Sequence, residues 1–506
     1  MAVSSKGCQT CKLRRIKCDE GKPICKRCTK SRRVCLPTDA VKQATFSIHV
    51  ENRYASGEVQ RPRGPRSSLT MLRPQINIQA CALAFYLHHY IEPTEKHPLL
   101  TTCVAESLLA WRESSQHGTC RMVDAGLSSL ALAVFARTQK SDAAAAEASS
   151  AYHRLLGLAR GRIRTVGPNM NQWHVEACLL TVLMMGRYEG SMHHPATIAA
   201  PTRDSFMTLR SWLHHDGALA ILHMWNDHLG QSNNASCIIK HTRRGLTLSA
   251  LLRGIPLADW LLDGEHFGER GLDLDYDRVL VPTVNLRYAA NQLLKAGCEA
   301  DLSTIDELDA HGKKLDMILE EFATKIPFPE SRRRFFLGEH AQTWSWPRKH
   351  FFSPFVTMYN DQGYAAVWAL YFAARILVNS TRLKILRANP LSEVEGSAYN
   401  QKRAECLTII HLMAGDLASV TPFVLDRVES TDPTTRRGSS SLRVNVDEPV
   451  KPHLATLMVW PLSVAGSVEG VDMERQRWFR SELSEIGRIV GDGILECAET
   501  EHWAIL

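Results

Sequence analysis

The chain has 506 residues, which is more than one hydrophobic core usually supports, so we expect a large body with at least one smaller appendage. Hydrophobic residues make up 44% of the chain and charged residues 22%, proportions that exclude a collagen-like or wholly disordered protein. Apolar runs stay shorter than the roughly 20 residues that a membrane helix needs, so we expect no membrane-spanning segment. Lysines and cysteines stand where a signal peptide would be apolar, which predicts a reducing compartment.

The net charge of +7 conceals a strong asymmetry along the chain. Residues 1–36 carry eleven basic side chains against Asp19 and Glu20, so this segment alone has a charge of +9 and the rest of the chain is slightly acidic. The basic residues are Lys6, Lys12, Arg14, Arg15, Lys17, Lys22, Lys26, Arg27, Lys30, Arg32 and Arg33. A positive field concentrated in one small patch suits a polyanion, so the predicted partner is a nucleic acid.

The same segment holds a repeated cysteine pattern. Six of the fourteen cysteines follow the spacing C-x2-C-x6-C twice, with six residues between the two repeats. They are Cys8, Cys11, Cys18, Cys25, Cys28 and Cys35. In a reducing compartment, paired C-x2-C units are more typical of metal ligands than of disulfides, and zinc is the default metal. Disulfides, or a zinc knob with no role in DNA binding, are the alternatives.

Six sulfurs predict a two-metal cluster with shared ligands. Structural zinc takes four ligands, with sulfur at about 2.3 Å, so two ions need eight ligand positions and two sulfurs must bridge. Cys8 and Cys25 open the two repeats and occupy equivalent positions, so we expect them to be the bridges. Cys11 and Cys18 then complete one site, and Cys28 and Cys35 complete the other. So short a segment buries little apolar surface, so zinc must supply much of its folding free energy.

The segment Gly7–Asp19, GCQTCKLRRIKCD, together with Lys22-Pro-Ile-Cys25, resembles the DNA-binding module of fungal binuclear zinc cluster transcription regulators. The resemblance covers residues 7–35, with all six cysteines and the intervening Pro23 in place. It implies a nuclear protein with two Zn²⁺ per chain that binds double-stranded DNA containing CGG triplets.

We expect a short helix between Cys11 and Cys18 that enters the major groove. It would present the side chains Lys12, Arg14, Arg15 and Lys17. In the family that the segment resembles, the position of Arg15 is a principal reader of guanine, and we expect Arg14 to assist it. The basic residues of the second half are expected to contact phosphates and to set affinity. They are Lys26, Arg27, Lys30, Arg32 and Arg33.

The sequence divides into a module over residues 1–38, a linker over 39–78 and a body over 79–506. Prolines and polar residues fill the linker, and Phe46, Ile48 and Val50 alternate with period two rather than at heptad spacing. A short strand or extended arm fits better than a coiled coil, so homodimerisation through this segment is in doubt and other transcription proteins are the alternative partners. The basic run at 61–66 fits nuclear import, phosphate contact or a solvated linker.

The body is predicted to be helical, so that the fold class is mostly α: a small two-zinc module, an irregular linker and a large all-helical regulatory domain. The clearest helical segments are 80–91, 128–137, the alanine-rich stretch to 164, 173–188, 212–225, 367–377, 404–418 and 474–497. Loops are expected at 190–206 and 428–452.

Three segments of the body resemble the helical regulatory domain that follows the zinc cluster in one branch of the same family. They are Trp212-Leu-His-His-Asp-Gly-Ala-Leu, Ala374-Arg-Ile-Leu-Val-Asn379 and Val459-Trp-Pro-Leu-Ser-Val-Ala-Gly466. The resemblance implies a scaffold for regulation and protein contacts, without chemistry of its own.

The sequence contains no recognisable catalytic motif, so we do not expect this chain to be an enzyme. Asp273, Asp275 and Asp277 begin like a calcium loop, but the glycine and closing glutamate of that loop are missing. The adjacent histidine pairs at 88–89, 193–194 and 214–215 split around a helix axis and cannot hold one metal jointly. The eight other cysteines are expected to be buried thiols.

These observations predict a sequence-specific, zinc-dependent regulator of genes transcribed by RNA polymerase II, specific to one pathway. The alternatives are an enzyme or small-molecule binding protein that carries a structural zinc module, or a repressor rather than an activator.

Overall fold

A computed structural model describes residues 7–36, 77–91, 107–108, 120–163, 171–194, 210–230, 233–296, 301–328, 331–338, 342–389, 397–430, 442–500 and 503. The chain forms two compact units, residues 1–75 and 76–506. The predicted strand at 46–50 and the basic run at 61–66 lie outside the described residues.

The first unit contains two short helices, α1 (Gln9–Leu13) and α2 (Lys26–Lys30), one in each cysteine repeat. Each helix starts immediately after the first cysteine of its repeat, because the sulfur of that cysteine accepts a backbone N–H from the second one: Cys8 from Cys11, and Cys25 from Cys28. The cysteines therefore serve as helix N-caps, a position usually taken by short polar side chains.

The helix expected between Cys11 and Cys18 covers only the start of that stretch, because α1 begins before Cys11 and ends at Leu13, so the prediction was wrong in its extent. The helix ends at Leu13, and Arg15 follows in the left-handed region with φ of 53°. A helix rises about 1.5 Å per residue, so a continuous helix would carry the sulfur of Cys18 about 10 Å away from Cys11. The chain must turn back for the two sulfurs to meet.

The second unit is a helical body. Its first half comprises α3 (Ile78–Tyr86, continued by a π-helical turn, Leu87–Ile91), α4 (Cys120–Thr138), α5 (Asp142–Ile163), α6 (Gln172–Met192), α7 (Arg210–His228) and α8 (Cys237–Arg253). Its second half comprises α9 (Gly271–Ala296), α10 (Leu302–Lys325), α11 (Gln362–Arg387), α12 (Ala398–Val424), α13 (Pro452–Ser467), α14 (Met473–Val490) and α15 (Gly493–Glu496). The predominantly helical fold class is confirmed.

Two antiparallel two-stranded ribbons interrupt the helices. The strand β1 (Arg333–Phe336) pairs with β2 (Phe355–Met358), and β3 (Val428–Ser430) pairs with β4 (Leu442–Val444). The expected loop at 428–452 therefore contains two strands and the start of α13. Helix α6 continues to Met192, inside the loop expected at 190–206, and residues 195–206 lie outside the described residues. The predicted helix over 474–497 is broken at Gly491, which adopts φ of 68° and ends α14.

The helix α11 forms the centre of the second half. Nearly all of its residues are buried, and it packs against α10, α12 and α13. Helix α12 is long and apolar enough to cross a membrane by length and composition, but 61% of its most apolar window is buried inside the body. Its apolar side chains therefore pack mainly in the core of the body. At the C-terminal end, α14 packs on α4 and α15 on α6, which joins the two halves of the body.

Buried ion pairs fix α10 against α11. The guanidinium of Arg375 donates to both carboxylate oxygens of Asp316 at 2.8 and 2.7 Å, and Asn379 donates to the same carboxylate at 2.9 Å. Two turns beyond Arg375 along α11, Arg382 donates to Asp309 at 2.9 Å. The segment 374–379 thus contributes its polar side chains to the helix–helix interface.

The residues considered for metal binding or catalysis in the body have structural roles. The three aspartates at 273, 275 and 277 lie on α9 and pair with arginines or lysines. His214 is hydrogen-bonded to the hydroxyl of Tyr152 at 3.0 Å, and burial lowers the pKa of His215 to about 4.

The cysteines of the body were predicted with mixed success. Buried thiols are confirmed at Cys178, Cys406 and Cys497. Cys81 is a free but exposed thiol, and Cys237 is disulfide-bonded, so the prediction was wrong at these two positions.

Candidate zinc cluster and nucleic-acid interface

The six cysteines of the first unit form two groups of four whose sulfur atoms all lie within 4.8 Å of one another. The groups are Cys8, Cys11, Cys18 and Cys25, and Cys8, Cys25, Cys28 and Cys35. The two shared sulfurs, those of Cys8 and Cys25, lie 3.8 Å apart. The spacing in the sequence and the geometry in space therefore single out the same pair.

The distances between the sulfurs fit tetrahedral zinc. Zinc–sulfur bonds of about 2.3 Å at tetrahedral angles place two ligand sulfurs about 3.8 Å apart. The sulfur of Cys11 lies 3.6 Å from that of Cys25, and the sulfur of Cys8 lies 3.7 Å from that of Cys28. All six cysteines are free thiols, and a disulfide would bring two sulfurs to about 2.05 Å. The donor set is thus suited to metal ligation.

The two halves of the module repeat each other in their backbone contacts to sulfur. The N–H of Cys8 donates to the sulfur of Cys18 at 3.4 Å, and the N–H of Cys25 donates to the sulfur of Cys35 at 3.5 Å. In the same way, the sulfur of Cys8 accepts the N–H of Cys11. Each N–H places a partial positive charge beside a sulfur and favours its thiolate form.

The thiols oppose each other's ionisation. Burial, followed by hydrogen bonds with the neighbouring thiols, raises the pKa of Cys11, and the same causes raise the pKa of Cys28 to about 12. By contrast, the backbone N–H of Cys25 lowers the pKa of Cys35. So many sulfurs within contact distance ionise together only when cations neutralise them. The chemistry of the donor set therefore matches a site for two divalent ions.

A residue from the first half also accepts backbone N–H groups at the start of α2, next to its N-cap Cys25. The carboxylate of Asp19 accepts the backbone N–H of Lys26 at 2.9 Å and that of Arg27 at 3.3 Å, and these contacts lower its pKa. Because the partial positive charge of a helix N-terminus attracts an anion, Asp19 links the two halves electrostatically. Sequence analysis missed this role, because Asp19 lies seven residues before Lys26 and so is not at the capping position of the helix.

Thr10 closes the module at its other end. Its hydroxyl donates to the backbone oxygen of Val34 at 2.7 Å and accepts the N–H of Leu36 at 3.2 Å. Thr10, which lies between Cys8 and Cys11 in the chain, is buried. Together with Asp19, it holds the chain segments that the metals alone do not join.

The basic side chains predicted to contact DNA surround this cluster. Lys12 is partly buried, and the other predicted contact residues are exposed. The exposed ones are Arg14, Arg15, Lys17, Lys26, Arg27 and Lys30. No carboxylate in the described part of the module forms an ion pair with these exposed residues, so their charge remains available to an external anion.

Arg15 occupies a special position in the backbone. It lies four residues after the second cysteine of its repeat, and its counterpart in the other repeat is Arg32. Both adopt the left-handed conformation, with φ of 53° and 49°. The chain reverses at each of these arginines, so the side chain of Arg15 stands at the corner that follows α1 rather than on the helix itself.

Arg14 makes a contact that sequence analysis missed. Its guanidinium donates to the hydroxyl of Ser31 at 2.9 Å, and that hydroxyl donates to the backbone oxygen of Arg27 at 2.8 Å. Arg14 and Ser31 hold equivalent positions in the two repeats, three residues after the second cysteine. The side chain of Arg14 is therefore committed, at least in part, to joining the halves.

Comparison with known proteins supports this description of the first unit. Residues 6–44 match the family model of the fungal Zn(2)-Cys(6) binuclear cluster domain, which holds two zinc ions on six cysteines. No solved structure matches the chain.

Curated relatives share short stretches with the chain. A transcription activator of Alternaria alternata is 42% identical over 55 residues, which are 11% of this chain and 7% of the relative. The adhesion and hyphal regulator 1 of Candida albicans is 37% identical over 62 residues, 12% of this chain and 10% of the relative. The transcriptional regulatory protein moc3 of Schizosaccharomyces pombe is 66% identical over 63 residues, 12% of each chain. The chain thus matches about a tenth of the length of these relatives.

Proposed function

We propose that this chain, which carries a fungal Zn(2)-Cys(6) binuclear cluster domain over residues 6–44, is a sequence-specific regulator of genes transcribed by RNA polymerase II. It acts in the nucleus, on double-stranded DNA with CGG triplets, and is specific to one pathway. The single observation that carries the proposal is the pair of four-sulfur groups sharing Cys8 and Cys25, with exposed basic side chains around them. The names of the relatives as transcription regulators support it and favour a role other than catalysis.

In this proposal two Zn²⁺ ions cross-link the chain. Cys8 and Cys25 bind both ions, Cys11 and Cys18 complete one site, and Cys28 and Cys35 complete the other. The bound metal supplies the folding free energy that about 30 residues cannot obtain from apolar burial. The protein residues do the rest: N–H groups stabilise the thiolates, and Asp19 and Thr10 join the halves.

Base reading is assigned to Arg15. A guanidinium can donate two hydrogen bonds to the O6 and N7 atoms of guanine in the major groove, and this pairing favours guanine over other bases by about 1–3 kcal/mol. Arg15 is exposed and lies in the left-handed turn that follows α1, so its side chain is accessible to a duplex. Arg14, held by Ser31, assists by fixing the corner in place.

The remaining basic residues are assigned to the DNA backbone. Lys12 and Lys17 in the first half, and Lys26, Arg27 and Lys30 in the second, contact phosphates and give affinity without sequence preference. The helical body, residues 79–506, is a regulatory domain, and residues 39–78 link it to the module.

Selection of bound duplexes from a random pool by the zinc-loaded full chain tests the proposal. We expect enrichment of CGG, with half-site number and spacing that report the oligomeric state. The Arg15→Ala variant is the matched control and should enrich CGG less. Recovery of no common sequence by the zinc-loaded chain would contradict the proposal.

A further inference from the structure

A groove of about 930 Å³ lies on the second unit, between residues 347–349 and one face of α14. Its volume falls within the range of about 300–1,000 Å³ that is usual for small-molecule sites. The groove belongs to the body alone and contains no residue of the zinc module.

Buried contacts fix the two walls of this groove. The carboxylate of Glu482, on α14, accepts the backbone N–H of His350 at 2.7 Å and bonds its imidazole at 2.8 Å. Both residues are buried. The indole of Trp478 donates to the backbone oxygen of Arg348 at 2.9 Å. The loop is therefore held against the helix before any ligand arrives, which lowers the entropic cost of binding.

Three arginines line the groove without a carboxylate partner in the described part of the chain: Arg348, Arg477 and Arg480. The guanidinium of Arg348 stacks on the ring of Trp344, 3.8 Å from its centroid. Arg480 donates through Nε to the backbone oxygen of Gly466, so its direction is fixed as well. Arg477, one helical turn before Arg480, is exposed.

Most acidic residues of the groove are already engaged. Glu482 bonds His350, Glu485 pairs with Lys349 at 2.6 Å and with Arg488 at 2.8 Å, and Glu499 lies 3.7 Å from Arg488. Glu474 remains as an exposed carboxylate among the lining residues. The three arginines thus keep an excess positive charge in a preformed concave surface. Burial lowers the pKa of Arg480, as expected for a cation that lacks a counterion.

We propose that this groove binds a small organic molecule with two or more phosphate or carboxylate groups, through Arg348, Arg477 and Arg480. Guanidinium groups donate pairs of parallel hydrogen bonds that match the geometry of both anions. Arg477 and Arg480 are neighbours on one helix face, about 5–6 Å apart at their Cβ atoms, so a ligand with separated anionic groups can engage both.

Calorimetric titration of the zinc-loaded full chain tests the proposal. Fructose 1,6-bisphosphate and succinate are the probes, because stronger chelators would remove zinc from the module, and fructose is the neutral control. We expect saturable binding of at least one anion, weakened by added salt, and no binding of fructose. The anion that binds more tightly distinguishes a phosphate site from a carboxylate site.

Variants show whether binding occurs in the groove. Arg480→Ala should weaken binding about tenfold or more, and Arg480→Lys should weaken it less. Arg334→Ala is the matched control. Arg334 lies on β1, outside the groove, with its guanidinium 4.9 Å from the centroid of the Phe355 ring, so this variant should bind the anion normally. Should Arg480→Ala fail to fold, Arg477→Ala gives a second test at an exposed residue.

Two results would overturn the groove proposal: no saturable binding of either anion at millimolar concentration, or binding that Arg477→Ala and Arg480→Ala leave unchanged. No DNA is present in the titration, so its failure leaves the proposed function untouched.

Discussion

Replacing Cys25 with serine removes a ligand that the proposed cluster uses twice. Its side chain is fully buried, and its sulfur belongs to both four-sulfur groups. Cys18 lies in one group and is therefore the matched comparison. If the sulfurs are shared as proposed, Cys25→Ser damages both zinc sites and Cys18→Ser damages one.

The size of the effect follows from the metal-binding free energy. The free energy of binding structural zinc is about 10–16 kcal/mol, so each of four sulfurs contributes about 2.5–4 kcal/mol when it is divided evenly. Loss of one ligand then weakens a site roughly 60- to 700-fold. Cys25→Ser should suffer this loss at both sites, so that both ions are removed by a chelator that leaves the wild-type protein loaded.

The assay is zinc content per chain after gel filtration and limited chelator treatment. We expect two zinc ions for the wild type and none for Cys25→Ser. Cys81→Ser, which alters an exposed free thiol of the body, should keep two. Retention of two ions by Cys25→Ser, or greater loss in Cys18→Ser than in Cys25→Ser, would refute the shared-ligand arrangement.

Three further predictions concern single side chains. Arg15→Ala should reduce discrimination between CGG and an altered triplet by about 1–3 kcal/mol, while Lys30→Ala should weaken binding to every duplex alike; anisotropy titrations measure both. Asp19→Ala removes the acceptor for two N–H groups of α2 and should lower zinc affinity, measured by chelator competition. Arg375→Ala leaves the buried Asp316 without its partner and should lower the free energy of unfolding of the body by about 3–5 kcal/mol in urea.

Each of these variants has a control. A loss of discrimination in Lys30→Ala equal to that in Arg15→Ala would contradict the division between base and phosphate contacts. Asp19→Asn keeps an acceptor oxygen, so it should lose less zinc affinity than Asp19→Ala. Arg154 forms an exposed ion pair with Glu147, and Arg154→Ala should cost less than about 1 kcal/mol.

The cysteine cluster could be predicted from sequence because the spacing of the cysteines and the coordination number of zinc leave few possible arrangements. Six sulfurs must fill eight ligand positions, so arithmetic required two shared sulfurs, and the equivalent positions of Cys8 and Cys25 in the two repeats suggested which two. The path of the chain between the ligands did not follow from it. The basic residues between Cys11 and Cys18 are good helix formers, and their local propensity favoured a helix that the metal geometry does not permit.

Contacts between the two repeats could not be predicted from local sequence patterns either. Ser31 and Arg14 are 17 residues apart, and neither residue type indicates that the other is its partner. In the body, the buried pair of Arg375 and Asp316 joins two helices 59 residues apart in the chain. A charged residue within a helix is ordinarily assigned to solvent, so pairing of this kind becomes visible only in three dimensions.

Helices of the body were predicted where apolar residues recur over long segments, as in α4 and α6. Their ends were predicted less well, because caps and turns depend on single residues such as Gly491. The two ribbons escaped prediction for a different reason: strands of three or four residues contain too few side chains to establish an alternating pattern.

The most direct test of the account is an anisotropy titration of the full chain on a CGG duplex and on a scrambled duplex, before and after zinc removal. We predict that the zinc-loaded chain prefers the CGG duplex and that its affinity falls steeply with salt. Zinc removal should abolish binding until the metal is restored. Equal binding by the zinc-free chain, or a zinc-loaded chain that binds neither duplex, would contradict this account.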